Sequence, residues 1–373
     1  MTSTTLTEGR CAVLTAYGEP LELREYAVPD PEPGGILLRV TQASICGSDL
    51  HMFRGDSQSI PIPTGGRALG HEGTAVVEKL GSGIDSDSLG APLRVGDRVV
   101  HSIVVGCTRC DKCLAGVPNL CRNKRGAPSA EQSPHFFGTF ADFLYLGPGV
   151  PVFRVPESLP DDILSPVNCA MGTTLEGLLA AGVTAGSSVV FYGAGGLGLT
   201  GIPLARSLGA GQIIVIDRLQ QRLDLARAFG ADETLNATEL TTPDERIARV
   251  QELTGGGADA VLELVGVPDL LSEGVAMLGP GGAFIEIGLF FSGRTVAFDP
   301  ASLTVTGKRV LGSNGYRPLL LPKILDFLER AHEQLPFDQL ISHRFTLKDI
   351  NQAFGESEWH NAATPVVRAV IEP

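Results

Sequence analysis

Val189-Val190-Phe191-Tyr192-Gly193-Ala194-Gly195-Gly196-Leu197-Gly198 is an apolar run that passes directly into Gly-x-Gly-x-x-Gly. A short apolar run bounded by glycine reads as a buried strand, and the apolar spacing of Leu199 to Leu208 reads as the helix that follows. Glycine-rich turns are common, so the pattern by itself says little. Placed between a strand and a helix it says more. Backbone N–H groups at the helix N-terminus can hold a pyrophosphate, and the missing side chains permit close approach.

Working outward, Gln212 to Ile216 forms a second apolar run that ends at Asp217, about twenty residues beyond the last glycine. A carboxylate there can accept hydrogen bonds from both adenosine ribose hydroxyls and repels a 2′-phosphate, which favours NAD over NADP, although Arg218 follows it. Arg222 lies where it could rest against the adenosine ribose, and a solvated helix face explains it equally well. Alternation continues through the helix-like Leu219 to Phe229, then Ala260 to Leu264, Ala283 to Ile287 and Arg309 to Leu311. Strands alternating with helices predict a doubly wound parallel sheet covered on both faces. Upstream, Ile36 to Val40, Gly73 to Glu78 and Arg98 to Val100 read as short strands broken by Pro29, Pro31, Pro33, Gly34 and Gly35, an irregular β domain. Downstream, a helix is expected over Pro322 to Arg330, with proline tolerated in its first turn. A strand-like tail, Ala363 to Ile371, returns to the first domain.

The chain's 373 residues, 43% hydrophobic and 19% charged, exceed what one average domain holds, so two domains are expected. A formal charge of −13 and a pI near 5.0 oppose nucleic acid and anionic membranes as partners, because phosphate surfaces repel such a chain. A small molecule is the expected partner. MTSTTLTEGR lacks a basic flank and apolar stretch, and no run of about 18 apolar residues occurs, so the reading is cytoplasmic.

Seven cysteines are unevenly placed. Cys107-x2-Cys110-x2-Cys113-x7-Cys121 puts four thiolates in one loop, enough to close a tetrahedral zinc site without water, and a closed site is structural. Two disulfides or four unrelated thiols fit poorly with a chain lacking secretion signals, while iron–sulfur clusters share four-cysteine ligation. Elsewhere, Cys46-Gly47-Ser48-Asp49-Leu50-His51, Gly70-His71-Glu72-Gly73 and the isolated Cys169 offer two sulfurs and a ring nitrogen. Three protein ligands and an open position make a catalytic zinc site. A lone cysteine is usually a small buried hydrophobe. With Cys11 set aside, however, one closed and one open site account for every other cysteine.

In these motifs, with Cys169-x-x-x-Thr173 and Gly-x-Gly-x-x-Gly in the same order and spacing, the whole chain resembles the zinc-containing medium-chain alcohol dehydrogenases. The resemblance implies an α/β fold: a chaperonin-10-like β-barrel catalytic domain over 1–166 and 317–373, with a Rossmann domain, 167–316, inserted in it. It implies a cleft between them where alcohol and nicotinamide meet. It makes Cys46, His71 and Cys169 the catalytic zinc ligands, giving two zinc ions per chain, and places Glu72 beside that zinc, either approaching it transiently or supporting the ligands. Ser48 becomes the hydroxyl next to the substrate oxygen, Asp49 the group that orients a ligand, and His51 the surface end of a proton relay. Gly193, Gly195, Gly196, Leu197, Gly198, Asp217 and Arg222 become the NAD contacts.

The implied reaction moves a hydride between an alcohol and NAD through a zinc-bound alkoxide, since zinc lowers the pKa of a bound hydroxyl. The proton passes by Ser48, a ribose hydroxyl and His51 to solvent. Two departures stand out: Ala75 replaces a glycine common after Gly-His-Glu, and Cys169 stands where the polyol branch carries glutamate. Alternatives are an NADH-linked aldehyde or ketone reductase, a zinc-free quinone or enoyl reductase, and an inactive zinc- and NAD-binding homologue. Phe53, Phe136, Phe137, Phe290 and Phe291 are candidates to line a pocket for a bulky or cyclic secondary alcohol. The resemblance further implies a homodimer or homotetramer.

Overall fold

A computed structural model describes residues 7–56, 61–124, 126–288, 293–358 and 367–373. The chain forms two compact units, one of residues 1–169, 317–332 and 341–373, the other of 170–316 and 333–340.

The first unit is built from β1 (Glu8–Leu14), β2 (Glu22–Ala27), β3 (Ile36–Ser44), β4 (Arg67–Ala68), β5 (Glu72–Leu80), β6 (Arg98–His101), β7 (Phe143–Leu146), β8 (Val152–Arg154), β15 (His343–Thr346) and β16 (Ala369–Glu372). Its larger sheet runs β15-β16-β3-β5-β6-β8, with β7 also on β3, and β2-β1-β4 form a smaller one. β3 is the hinge of the arrangement. Ile-Leu-Leu-Arg-Val-Thr-Gln-Ala-Ser is buried at almost every position, as a strand covered on both faces must be. Its length lets it pair with β5 along one edge while the other edge takes β7 at residues 36–39 and β16 at Ala43 and Ser44. Leu14, Leu38, Val40, Leu50, Phe140 and Ile371 join elements from both ends of the chain in one core. Of the expected tail, residues 363–366 lie outside the described residues, and the described strand is Ala369–Glu372.

The second unit holds β9 (Ser188–Tyr192), β10 (Gln212–Asp217), β11 (Glu233–Asn236), β12 (Ala258–Glu263), β13 (Leu278–Glu286) and β14 (Arg309–Gly312), all parallel, in the order β11-β10-β9-β12-β13-β14. This is the 3-2-1-4-5-6 order of the Rossmann fold, whose ligand crevice opens at the carboxyl ends of the strands where winding reverses, here between β9 and β12. Val189 to Phe191, Ile213 to Ile216 and Ala260 to Leu262 are buried throughout, as a sheet covered on both faces requires. The helix expected near Pro322 spans Leu320–Ala331, with the proline in its first turn. No helix among the described residues is long and apolar enough to cross a membrane.

Candidate metal and nucleotide sites

β9 delivers the chain into the glycine turn. Gly193 has φ +107°, a left-handed value that β-carbon sterics make costly for other residues. Gly195 is the N-cap of the helix Gly196–Ser207 and supplies no side-chain cap, while Gly196 and Leu197 form its first turn. Uncapped helix N–H groups with no acidic side chain in the first turn suit an anion. A β-carbon on Gly195 would meet nothing within 4 Å, whereas one on Gly198 would lie 2.0 Å from the Gly193 carbonyl oxygen. Gly198 is thus needed for helix-to-strand packing. Gly198→Ala is expected to destabilise the protein by about 1–3 kcal/mol and weaken dinucleotide binding. Urea unfolding and a titration of NADH fluorescence test it, and unchanged values in both would contradict it.

Asp217 ends β10 and accepts hydrogen bonds from the Ala194 N–H at 2.8 Å and the Leu219 N–H at 2.9 Å. It therefore braces the glycine turn as well as standing at the strand end. Arg222 is half-buried rather than on a solvated face. Burial lowers its pKa, against the attraction of Asp217.

In the first unit, Cys107, Cys110, Cys113 and Cys121 bring their sulfurs within 4.8 Å of one another, and none is in a disulfide. Backbone N–H groups of Cys107 and Asn123 donate to Cys121 Sγ at 3.4 and 3.3 Å, and Asn123 Nδ2 donates to Cys107 Sγ at 3.2 Å. N–H donors aimed at sulfur favour thiolates. Hydrogen bonds from Arg109 and Asn123 bring the Cys107 thiol down to about 6. Four sulfurs with this support fit a closed tetrahedral zinc site.

Cys46, His71, Glu72 and Cys169 form a second group, with one ligand atom from each within 4.8 Å of the others. Cys46 is the N-cap of the helix Gly47–Arg54, His71 directly precedes β5, and Cys169 sits in the π-helical turn Val167–Met171. Asp49 joins two of them, accepting from the Cys46 N–H at 3.0 Å and lying 3.2 Å from His71 Nδ1. That contact occupies Nδ1 and leaves Nε2 as the nitrogen a metal could use, an arrangement in which carboxylates stand behind metal-bound imidazoles. Ser48 Oγ lies 3.4 Å from this Nε2. A hydrogen bond with Cys169 lowers the Cys46 thiol well below its ordinary value and holds Cys169 well above. Both thiols must lose their protons to ligate a metal. Burial disfavours a charged His71, but Asp49 and Cys46 outweigh it and hold the imidazole well above its usual pKa. Two sulfurs and a nitrogen with Oε1 of Glu72, a buried atom that has no hydrogen-bond partner among the described residues, suit zinc.

Ser44 and Arg368, the partners of Glu72, were not foreseen. Glu72 is fully buried, and its Oε2 meets Ser44 Oγ and the guanidinium of Arg368, itself only 4% exposed. A lone arginine in the apolar Val-Val-Arg-Ala-Val-Ile was the available signal. His51 is not at the surface: its side chain is 11% exposed, and Nδ1 meets Asp56 at 2.8 Å and Arg54 at 2.9 Å. The left-handed cap at Gly55 returns the chain so that Asp56 N–H reaches the His51 carbonyl. Of the five phenylalanines named as pocket candidates, three fall on described residues. Phe136 is buried in a core with Val13, Leu37 and Phe143, and Phe53 packs edge-on against Phe354. Phe137 is half-buried, and Phe290 and Phe291 lie outside the described residues.

Residues 32–157 match the family described as alcohol dehydrogenase GroES-like domain, and residues 196–330 match zinc-binding dehydrogenase. The chain is 34% identical over 346 residues to 5-exo-hydroxycamphor dehydrogenase of Pseudomonas putida, covering 92% of this chain and 94% of that protein. An alcohol dehydrogenase from Thermotoga maritima is structurally similar, with TM-score 0.89, 32% identity and coverage of 98% of this chain and 99% of that one. Benzyl alcohol dehydrogenase from Acinetobacter calcoaceticus gives TM-score 0.84, 30% identity and coverage of 98% and 99%.

Proposed function

The chain belongs to the zinc-containing medium-chain alcohol dehydrogenase family, an oxidoreductase acting on CH–OH with a nicotinamide, and on that premise we propose an NAD-linked enzyme of ring-bearing, secondary alcohols. The observation that carries the reading is the convergence of Cys46, His71 and Cys169 beside Ser48. Similarity to proteins named for 5-exo-hydroxycamphor and benzyl alcohol supports a cyclic substrate.

Cys46, His71 and Cys169 would hold the reactive zinc, with Glu72 behind them, and Cys107, Cys110, Cys113 and Cys121 a structural one, two per chain. The reactive zinc, when bound, supplies Lewis-acid polarisation of the substrate oxygen. The nicotinamide supplies the hydride acceptor. Ser48 Oγ takes the hydroxyl proton as it releases its own outward, toward His51, the base further out, which Asp56 steadies at Nδ1. Asp49 keeps His71 Nε2 turned toward the reacting side. Glu72, paired with Arg368, places a carboxylate behind the ligands without a net buried charge. Gly193, Gly195, Gly196, Leu197 and Gly198 cradle the pyrophosphate, with Asp217 and Arg222 at the adenosine ribose. We place the enzyme in the cytoplasm as a homodimer or homotetramer.

Zinc per chain, measured on purified protein alongside NADH formation with primary, secondary and cyclic alcohols, tests the proposal. Two zinc ions and turnover of cyclic secondary alcohols are expected; one zinc without turnover would refute it. Asp217→Ala is expected to lower kcat/KM for NAD about 10- to 100-fold, from the loss of a charge-assisted hydrogen bond, and to raise relative use of NADP. Retained NAD preference would remove Asp217 from the cofactor site.

A further inference from the structure

Behind the reactive ligand group, one buried amide grips the backbone on which the group is built. Asn168 is completely buried in the turn Val167–Met171, immediately before Cys169. Its Nδ2 donates to the His71 carbonyl oxygen at 3.0 Å, and its Oδ1 accepts from the Gly73 N–H at 3.3 Å. A single side chain thereby holds the peptide groups on either side of Glu72. The same Nδ2 lies 3.3 Å from Nε2 of His101 on β6, a ring that burial, with the His71 charge nearby, brings down to about 4, so that it is neutral and able to accept.

The ladder between β3 and β5 begins with Ser44 opposite Glu72 and Ala43 opposite Gly73. His71 lies before that ladder, and its carbonyl finds its donor in Asn168. On the other side, Thr139 Oγ1 donates to the Glu72 carbonyl at 2.9 Å. A primary amide offers a donor and an acceptor side by side in one plane without having to bind or release a proton. Left unsatisfied in a core, the same group would be destabilising.

We propose that Asn168 is a positioning residue that sets the spacing of Cys169 and His71, tying the backbone of the turn that carries one ligand to the backbone that carries the other. The inference rests on the assignment of these residues as zinc ligands. Asn168 and His71 are 97 residues apart in the chain, while ligand atoms must meet to within about 0.2 Å. A direct backbone tie between the two segments supplies that precision. Removing outer partners of a metal site typically weakens metal affinity about 10- to 100-fold.

The test uses the full-length protein loaded with Co2+, whose visible absorption reports ligand geometry, and compares wild type with Asn168→Asp and Asn168→Ala. The aspartate variant, assayed at alkaline pH so that its carboxyl is ionised, keeps the shape and the acceptor for Gly73 but lacks the donor to His71; the alanine variant lacks both. We expect both variants to lose the reactive-site metal to a chelator about 10- to 100-fold more readily, with shifted cobalt bands. The metal of the Cys107 to Cys121 loop, released as in wild type, shows that the fold is intact; should the alanine variant lose that metal too, the aspartate variant decides. Unchanged metal retention and spectra in a wild type holding two metals and in its variants would overturn the inference alone. A wild type holding one metal would overturn the ligand assignment and the inference together.

Discussion

Cys169→Ala is expected to bring the zinc content from two ions per chain to one and to lower kcat/KM for alcohol oxidation by about a thousandfold or more. Removing one sulfur deletes a proposed ligand and also the hydrogen-bond partner that lowers the Cys46 thiol. Lewis-acid stabilisation is worth several kcal/mol, and each 1.36 kcal/mol is tenfold in rate, so loss of about 4 kcal/mol gives this factor. The four-cysteine loop shares no residue with the reactive group and should keep its metal, so atomic absorption and steady-state rates on one preparation suffice. A variant with both zinc ions and full turnover would remove Cys169 from the ligand set.

The second large effect concerns stability. Arg368→Met is expected to destabilise the protein by about 3–5 kcal/mol, because the Glu72 carboxylate, fully buried beside it, then has no counter-charge. Burial already pushes the Glu72 pKa up, and Arg368 is the main influence holding it down. Glu72→Gln combined with Arg368→Met should recover most of the loss, since a neutral pair of similar volume needs no charge compensation. Urea unfolding of the two variants tests it. Additive losses in the double variant would show that the pair is not coupled.

The central strands of the parallel sheet were legible because burial on both faces forces continuous apolar runs, as in Val189 to Tyr192 and Gln212 to Ile216. The four-cysteine loop was legible because all its ligands fall within one short segment. β11, with the polar sequence Glu-Thr-Leu-Asn, was not foreseen: at a sheet edge a strand is held by backbone hydrogen bonds to β10, and its side chains carry little pattern. β1 and β2 were also missed: β1 opens on the charged Glu8 and Arg10 before its buried run Cys11 to Leu14, and β2, with Glu22, Arg24 and Glu25, has no buried residue to give it a pattern.

The sequence by itself determined what local order can encode: a dinucleotide turn read from a strand, three glycines and an acid, a metal loop read from cysteine spacing, and the donor types at Cys46, His71 and Cys169. Only the tertiary structure decided the surroundings of those donors. Asp49 meets His71 because a helical cap faces a strand end, Arg368 meets Glu72 because β16 pairs with the end of β3, and Asn168 meets the His71 carbonyl across 97 residues. Phe136, a candidate for a pocket wall by composition, became core for the same reason. Burial and charge compensation depend on which segments pack together, and chain spacing does not carry that information.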